Sequence, residues 1–150
     1  MKKFLLLLFF GHFTYTSFSQ HFILDKRSKI KKNMEQFYAE NNRKYDFTET
    51  DSTITYVLND SLSLPATTVF YFNQQNRCIK QENIFSCDSC LQQSMQRSLA
   101  EKFVSWDKIT QGAYYAGFPY NTLMEQIKFN DRFILRFTKQ KRKDVKHNGG

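Results

Sequence analysis

The chain has 150 residues, with 22 Lys and Arg against 14 Asp and Glu, which gives a formal net charge of +8. A chain of this length accommodates one domain. Hydrophobic residues make up 41% of the chain and aromatic residues 17%, with 5 Gly and 2 Pro. This composition excludes a disordered, collagen-like or low-complexity chain and indicates a folded globular protein.

The first 19 residues have the pattern of a secretory signal peptide. Lys2 and Lys3 precede an apolar run over 4–10, and the small residues Ser17 and Ser19 precede the predicted cleavage site. As a helix the run spans about 10 Å, against roughly 30 Å of bilayer core, so it is too short to stay as an anchor. We therefore expect an exported protein, periplasmic or extracellular, with no transmembrane span.

After cleavage, most of the positive charge lies at the carboxyl terminus. Loss of Lys2 and Lys3 leaves 20 basic against 14 acidic residues, a net of +6, and residues 139–150 carry +4 of it. We interpret 139–150 as a basic, flexible tail that could make weak electrostatic contact with an anionic surface. The folded body retains only +2, so no nucleic-acid partner is expected.

Hydrophobic periodicity predicts two helices. One apolar stripe runs through residues 28–41, and a second runs from residue 89 to about 104. The second helix begins with Ser89 and Gln92 at the spacing of a capping box.

Segments rich in β-branched and aromatic residues predict strands around these helices. They lie at 53–58, 67–72, 77–85, 106–116, 123–129 and 132–138. Polar turns at 73–76 and at Asn130-Asp131 join neighbouring strands, and connections this short require antiparallel pairing.

The order of one helix followed by three strands occurs twice. At an offset of 61 residues Met34 matches Met95 and Glu40 matches Glu101, which either records an internal repeat or reflects chance similarity between amphipathic helices. One unit of about 60 residues buries little surface alone. We therefore predict one α+β domain over 20–138, made of two αβββ units with a mainly antiparallel sheet and helices packed on one face.

Cys87-Asp88-Ser89-Cys90 is a CxxC motif that follows a predicted strand and opens a predicted helix. The unpaired N–H groups and the dipole at a helix start favour a thiolate. In this respect the motif resembles that of the thioredoxin family. The resemblance extends to Gly117-Phe118-Pro119, where it implies a loop that places Pro119 opposite the cysteines. One hypothesis is thus a thiol–disulfide protein with Cys87 attacking and Cys90 resolving.

The alternative for the cysteines is a structural disulfide, which is common in exported proteins of this size. Cys78, Cys87 and Cys90 allow three single bonds. A bond from Cys78 to Cys87 would close a loop of about ten residues and contribute roughly 2 to 3 kcal/mol on the chain-entropy model. The sequence leaves the connectivity open.

Few other residues suggest chemistry. The mature chain has only His21 and His147, both near an end, so a Ser-His-Asp triad is not expected. No metal-ligand spacing, phosphate loop or dinucleotide fingerprint is present, and we expect no cofactor and no metal.

An aromatic cluster at 114–120 is the candidate binding surface. Tyr114, Tyr115, Phe118 and Tyr120 would form an adhesive patch if exposed together, or core if buried. The sequence thus favours a non-enzymatic exported domain that binds a protein or glycan partner, with thiol–disulfide exchange as the alternative.

Overall fold

The computed structural model describes residues 21–59 and 65–145, so the predicted signal peptide lies outside it. Two helices and eight strands follow one another in these residues, with a short 3-10 turn at Arg142–Asp144. Their bounds are α1 Arg27–Glu40, β1 Tyr45–Glu49, β2 Thr53–Leu58, β3 Thr67–Phe72, β4 Cys78–Phe85, α2 Asp88–Leu99, β5 Trp106–Thr110, β6 Ala113–Ala116, β7 Thr122–Phe129 and β8 Arg132–Lys139.

All eight strands form one antiparallel sheet in the order β1-β2-β3-β4-β8-β7-β6-β5. The last strands of the two halves, β4 and β8, pair at its centre. The first strands, β1 and β5, form its two edges. The α+β class and the antiparallel pairing expected from the short connections are confirmed.

Asparagines make the tight turns of this sheet possible. Asn76 and Asn130 adopt φ values of 55° and 51° in the β3–β4 and β7–β8 connections. Asn tolerates this left-handed region better than most residues, because its short side chain can bond to nearby backbone. In the first turn, the Asn73 side-chain oxygen accepts N–H bonds from Gln75 and Arg77 at 3.0 Å each.

Side chains on one face of the sheet, the inner face, form rows across it. Phe70 of β3 lies opposite Gln81 of β4, and Gln81 lies opposite Phe137 of β8. All three are buried. The amide of Gln81 is satisfied, since its oxygen accepts the Phe22 N–H at 3.0 Å and its nitrogen donates to Asn83 at 3.1 Å.

Each helix contributes to its own cluster of buried side chains. Ile30, Met34 and Tyr38 of α1 pack with residues of β2, β3 and β4. Leu91 and Met95 of α2 pack with residues of β4, β7 and β8. Each helix is therefore held by its apolar stripe, as the periodicity predicts.

The strand count differs from the prediction, because each helix is followed by four strands rather than three. The edge strand β1 has only five residues and an almost fully exposed burial pattern, so the alternation of Tyr45 and Phe47 with polar residues is too short to mark a strand clearly. The predicted single strand over 106–116 is two strands, since Gly112 adopts φ 79° and reverses the chain. Helix α2 also ends at Leu99 instead of near residue 104.

Candidate functional site

Cys87 and Cys90 form a disulfide at the start of α2, with their Cα atoms 5.3 Å apart. Cys78 is a free, buried thiol at the start of β4. Eight strand residues at about 3.3 Å each put roughly 25 Å between the ends of β4. A disulfide needs Cα atoms within about 7 Å. The pairings of Cys78 with Cys87 or Cys90 considered from the sequence are therefore not formed.

Burial makes the Cys78 thiol unreactive. Burial raises its pKa to about 12, against smaller opposing effects of hydrogen bonds with the backbone of Lys80 and Tyr71. Because the thiolate is the reactive form, almost none of this thiol can react near neutral pH. The cysteine chemistry of the folded protein therefore belongs to the Cys87–Cys90 pair.

Cys87 is the residue that caps α2. Its backbone is extended at φ −145°, and its Sγ accepts the Cys90 N–H at 3.1 Å. The Ser89 hydroxyl lies 3.2 Å from the same sulfur. After reduction these two donors and the helix dipole would all stabilise negative charge on Cys87 Sγ.

A carboxylate beside the disulfide forms an ion pair with a lysine from a distant part of the chain. Asp88 lies within 2.9 Å of the Lys128 ammonium, which comes from the end of β7. A hydrogen bond from Lys128 lowers the pKa of Asp88, with further contributions from Gln92 and from the lysine charge. The negative charge nearest Cys87 is therefore compensated, which limits its repulsion of a thiolate.

The two cysteines have different surroundings. Cys90 packs against the core cluster that contains Leu91 and Phe85, whereas Cys87 is not part of that cluster. Both cysteines are half-buried, and Ser86 and Ser89 beside them are exposed. Exposed serine side chains therefore flank the half-buried disulfide.

The thioredoxin-like arrangement of a proline loop opposite the cysteines is wrong for this fold. Strands β4 and β7 are both antiparallel to β8, so they run in the same direction. Cys87 follows the end of β4, whereas Pro119 precedes the start of β7. The motif and the proline loop therefore lie at opposite ends of the sheet.

The structure does not bring the four aromatic candidates together. Tyr114 packs against the α2 cluster, while Tyr115 is buried with Leu123 and Val145. Tyr120 donates its hydroxyl to the Phe103 carbonyl at 3.3 Å, and Phe118 is 92% exposed. Tyr114 and Tyr115 separate because β6 points successive side chains to opposite faces, and of the four only Phe118 projects fully into solvent.

The sequence did not reveal a polar cluster on the outer face of the sheet, opposite the inner face. Arg136 donates to Glu82 at 2.8 Å, and the Tyr71 hydroxyl donates to the other carboxylate oxygen at 2.9 Å. The Lys80 ammonium lies 3.6 Å above the Tyr71 ring. These residues come from β3, β4 and β8, so only the strand register could have predicted the cluster.

A cleft of about 620 Å³ adjoins this cluster, and Arg136 and Lys80 line it. The chain after β8 closes one side, with Val145 buried there although it belongs to the segment predicted as a tail.

In residues 21–59 and 65–145 no group of His, Cys, Asp and Glu could hold a metal ion. No helix in the same ranges is long and apolar enough to cross a membrane.

Compared with known proteins, the chain matches no family model, no curated protein and no solved structure. Its function must therefore be argued from the site.

Proposed function

We propose that this protein is an exported thiol–disulfide exchange protein that uses Cys87 and Cys90. The observation that carries the proposal is the closed Cys87–Cys90 bond at the start of a helix, with Cys78 buried apart from it. Export rests on the predicted signal peptide over residues 1–19. An oxidising compartment is where such a disulfide persists.

The position of the bond argues against a purely structural role. It joins residues three apart, within the first turn of α2, and connects no separate elements. On the chain-entropy model, closing four residues contributes about 2 kcal/mol. A bond from β4 to α2 through Cys78 would fix two elements, and that bond is not formed.

The surroundings of the sulfurs favour Cys87 as the attacking group. The Cys90 N–H and the Ser89 hydroxyl would hold its thiolate, and Asp88 is neutralised by Lys128. Cys90 packs against the core, which suits a resolving thiol that reacts only with its neighbour.

Reduction of a partner disulfide would proceed in two steps. The Cys87 thiolate attacks one sulfur of the partner, which forms a mixed disulfide and releases the second sulfur as a thiolate. Cys90 then loses its proton and attacks Cys87 Sγ, which frees the first sulfur. Two electrons and two protons pass to the partner, and the Cys87–Cys90 disulfide is regenerated. A protein dithiol in the same compartment drives the reverse reaction and is itself oxidised.

The test is the reduction potential of the pair, measured by equilibration with glutathione buffers. We expect a value above about −300 mV, the range of exchangeable disulfides, and a Cys87 thiol pKa below about 8.5 by alkylation against pH. Cys90→Ser should trap a mixed disulfide on Cys87, whereas Cys78→Ser, the matched control, should change neither value. A potential below −300 mV together with an ordinary Cys87 pKa would identify a structural disulfide.

A second candidate, binding of a macromolecular partner without catalysis, is favoured by an apolar row on the outer face. Ile84 lies opposite Ile134, and Ile134 lies opposite Ile127. On the other side Thr67 separates Ile84 from Val57, which is 37% exposed. Such a row suits a protein or glycan partner. Ile134→Lys should abolish co-purification of that partner from the export compartment and leave thiol exchange unchanged.

We also propose that the fold is one domain that arose by duplication of a helix-and-strands unit. Each half contributes a helix and four strands in the same order, and the halves meet where β4 pairs with β8. Both buried clusters include residues of the inner face, which supports helices packed on one face. Separate expression of residues 20–86 and 87–150 should give unfolded chains, because each half alone buries too little surface.

A further inference from the structure

Two phenylalanines are almost fully exposed on neighbouring loops. Phe103, in the loop after α2, is 89% exposed, and Phe118, in the loop between β6 and β7, is 92% exposed. Most large apolar side chains in the described residues are buried or half-buried. Two such rings on neighbouring loops at one end of the sheet are a candidate site of contact with an apolar partner.

The two loops are held together. The Tyr120 hydroxyl donates to the Phe103 carbonyl at 3.3 Å. The Gly117 carbonyl accepts the N–H groups of Tyr120 and Asn121 at 2.9 Å each, which closes the loop around Phe118. The Tyr120 ring also lies 5.7 Å from the ring of His21. The two phenyl rings therefore project from loops that hydrogen bonds hold in place.

Basic side chains lie at the same end of the sheet. Lys139 of β8 pairs with Thr122 of β7, and the Gln140 N–H donates to the Asn121 carbonyl at 2.9 Å. The chain that continues from there has exposed lysines, and Lys102 before Phe103 is exposed as well. The exposed basic residues in and beside these two loops include Lys102, Lys139, Lys141, Arg142 and Lys143.

The acidic groups nearby offset only part of this charge. Asp107 lies 3.4 Å from Arg142, Asp144 follows in the same turn, and Glu101 precedes Lys102. Residues 139–144 thus carry four basic side chains against one acidic side chain. This end of the molecule is positively charged and bears two apolar tips.

We propose that this end, the Phe103–Phe118 tip, docks on an anionic lipid surface. Aromatic rings enter the boundary between headgroups and acyl chains, while lysines beside them attract anionic headgroups. Two narrow apolar tips bordered by lysines suit this layered environment. A stable protein interface would need a broader patch with a core poor in charge.

The experiment is sedimentation of the mature protein with vesicles containing 30% phosphatidylglycerol in phosphatidylcholine. We expect binding at low salt that weakens as ionic strength rises through about 0.15 M, where the screening length is roughly 8 Å. The double variant Phe103→Ser with Phe118→Ser should reduce the partition coefficient at least tenfold. Each substitution removes a phenyl ring whose burial in the apolar part of the bilayer favours binding. Phe129→Ser, at the opposite end and 67% exposed, is the matched control and should bind as wild type.

A second pair of variants separates location from net charge. Lys139→Gln with Lys141→Gln should weaken binding about fivefold for each lysine. Lys44→Gln with Arg132→Gln removes the same charge at the disulfide end and should have a much smaller effect. Equal losses in the two pairs, unchanged binding of the phenylalanine double variant, or no sedimentation of wild type would each overturn the proposal. Near-UV circular dichroism of every variant confirms that the fold is retained.

Discussion

The α1 half of the molecule (α1 and β1 to β4) and the α2 half (α2 and β5 to β8) have the same order of elements, but their cores contain different side chains. Among the described residues, ten buried side chains form the core of the α1 half, and five of them are aromatic. The tightest ring contact there joins Tyr38 and Tyr45 at 4.7 Å. The α2 cluster has six members, including Met95 and Met124, whose flexible side chains fill irregular space.

The disulfide and the two most exposed phenylalanines both lie in the second half. The Cys87–Cys90 disulfide opens α2, and the exposed Phe103 and Phe118 follow it in the chain. The first half contributes mainly a dense aromatic core. The half with the denser aromatic core and the half with the disulfide and the exposed rings are therefore different halves of the chain.

The largest effect should come from the core of the α1 half. Phe70 is 0% exposed between α1 and the sheet, so Phe70→Ala should lower the free energy of unfolding by about 3–5 kcal/mol in urea titrations. Met95→Ala in the α2 cluster should cost about 2 kcal/mol, since Met sites collapse more readily. Phe129→Ala, at an exposed position, should stay within about 0.5 kcal/mol. A larger loss for Met95→Ala than for Phe70→Ala would break the comparison of the halves.

The next effect is a pH dependence that belongs to the α2 half. The His21 ring packs against Trp106, Tyr120 and Phe137, although His21 lies near the predicted start of the mature chain. Burial lowers its pKa to about 4, against a smaller opposing effect of the Asp25 charge. As pH falls below about 6.5, the His21 imidazole is therefore protonated in the unfolded chain before it is protonated in the folded protein. The free energy of unfolding declines until about pH 4, where the folded protein binds the proton as well.

The expected loss between these pH values is up to about 3 kcal/mol. Urea titrations from pH 7 to pH 4 should show a shallower decline for His21→Gln than for wild type. His147→Gln, which lies outside the described residues, serves as the control and should keep the wild-type slope. Parallel curves for wild type and His21→Gln would show that the histidine is solvated.

The smallest effect should come from the ion pair between Glu82 of β4 and Arg136 of β8, where the two halves meet. Burial raises the pKa of Glu82, but hydrogen bonds from Tyr71 and Arg136 and the charges of Lys80 and Arg136 outweigh it, so its pKa lies below the ordinary value. The stabilising contribution is present above about pH 4.3 and is lost as pH falls through the folded pKa. Glu82→Gln should cost about 1 kcal/mol at pH 7 and less in acid. If the loss of unfolding free energy in Glu82→Gln were the same at every pH, the loss would come from altered packing and not from the charge of Glu82.

Local signals in the sequence predicted the class, the two helices and most strands. The turn at Asn130-Asp131 follows from residues next to one another, so it can be seen without the fold. The capping box predicted at Ser89 is wrong, because α2 begins at Asp88 and Cys87 is its cap. Strand β1 was missed because an exposed edge strand has no buried alternation. The turn at Gly112 was missed because one glycine is a weak signal of a hairpin.

The rest of the site depends on register and strand direction. Lys128 reaches Asp88 from 40 residues away, because β8 pairs with β4 on one side and with β7 on the other. Arg136 reaches Glu82 across the central pair of strands for the same reason. Pro119 was placed beside the cysteines because the direction of β7 cannot be inferred from the residues around it.

The buried Cys78 thiol gives the molecule an internal reporter. It lies within the α1 core at 0% exposure and becomes available only when that half of the chain opens. In a protein whose other two cysteines are joined, alkylation of Cys78 measures the frequency of this opening. A label added at increasing urea would thus record whether the aromatic half comes apart alone or only together with the rest of the sheet.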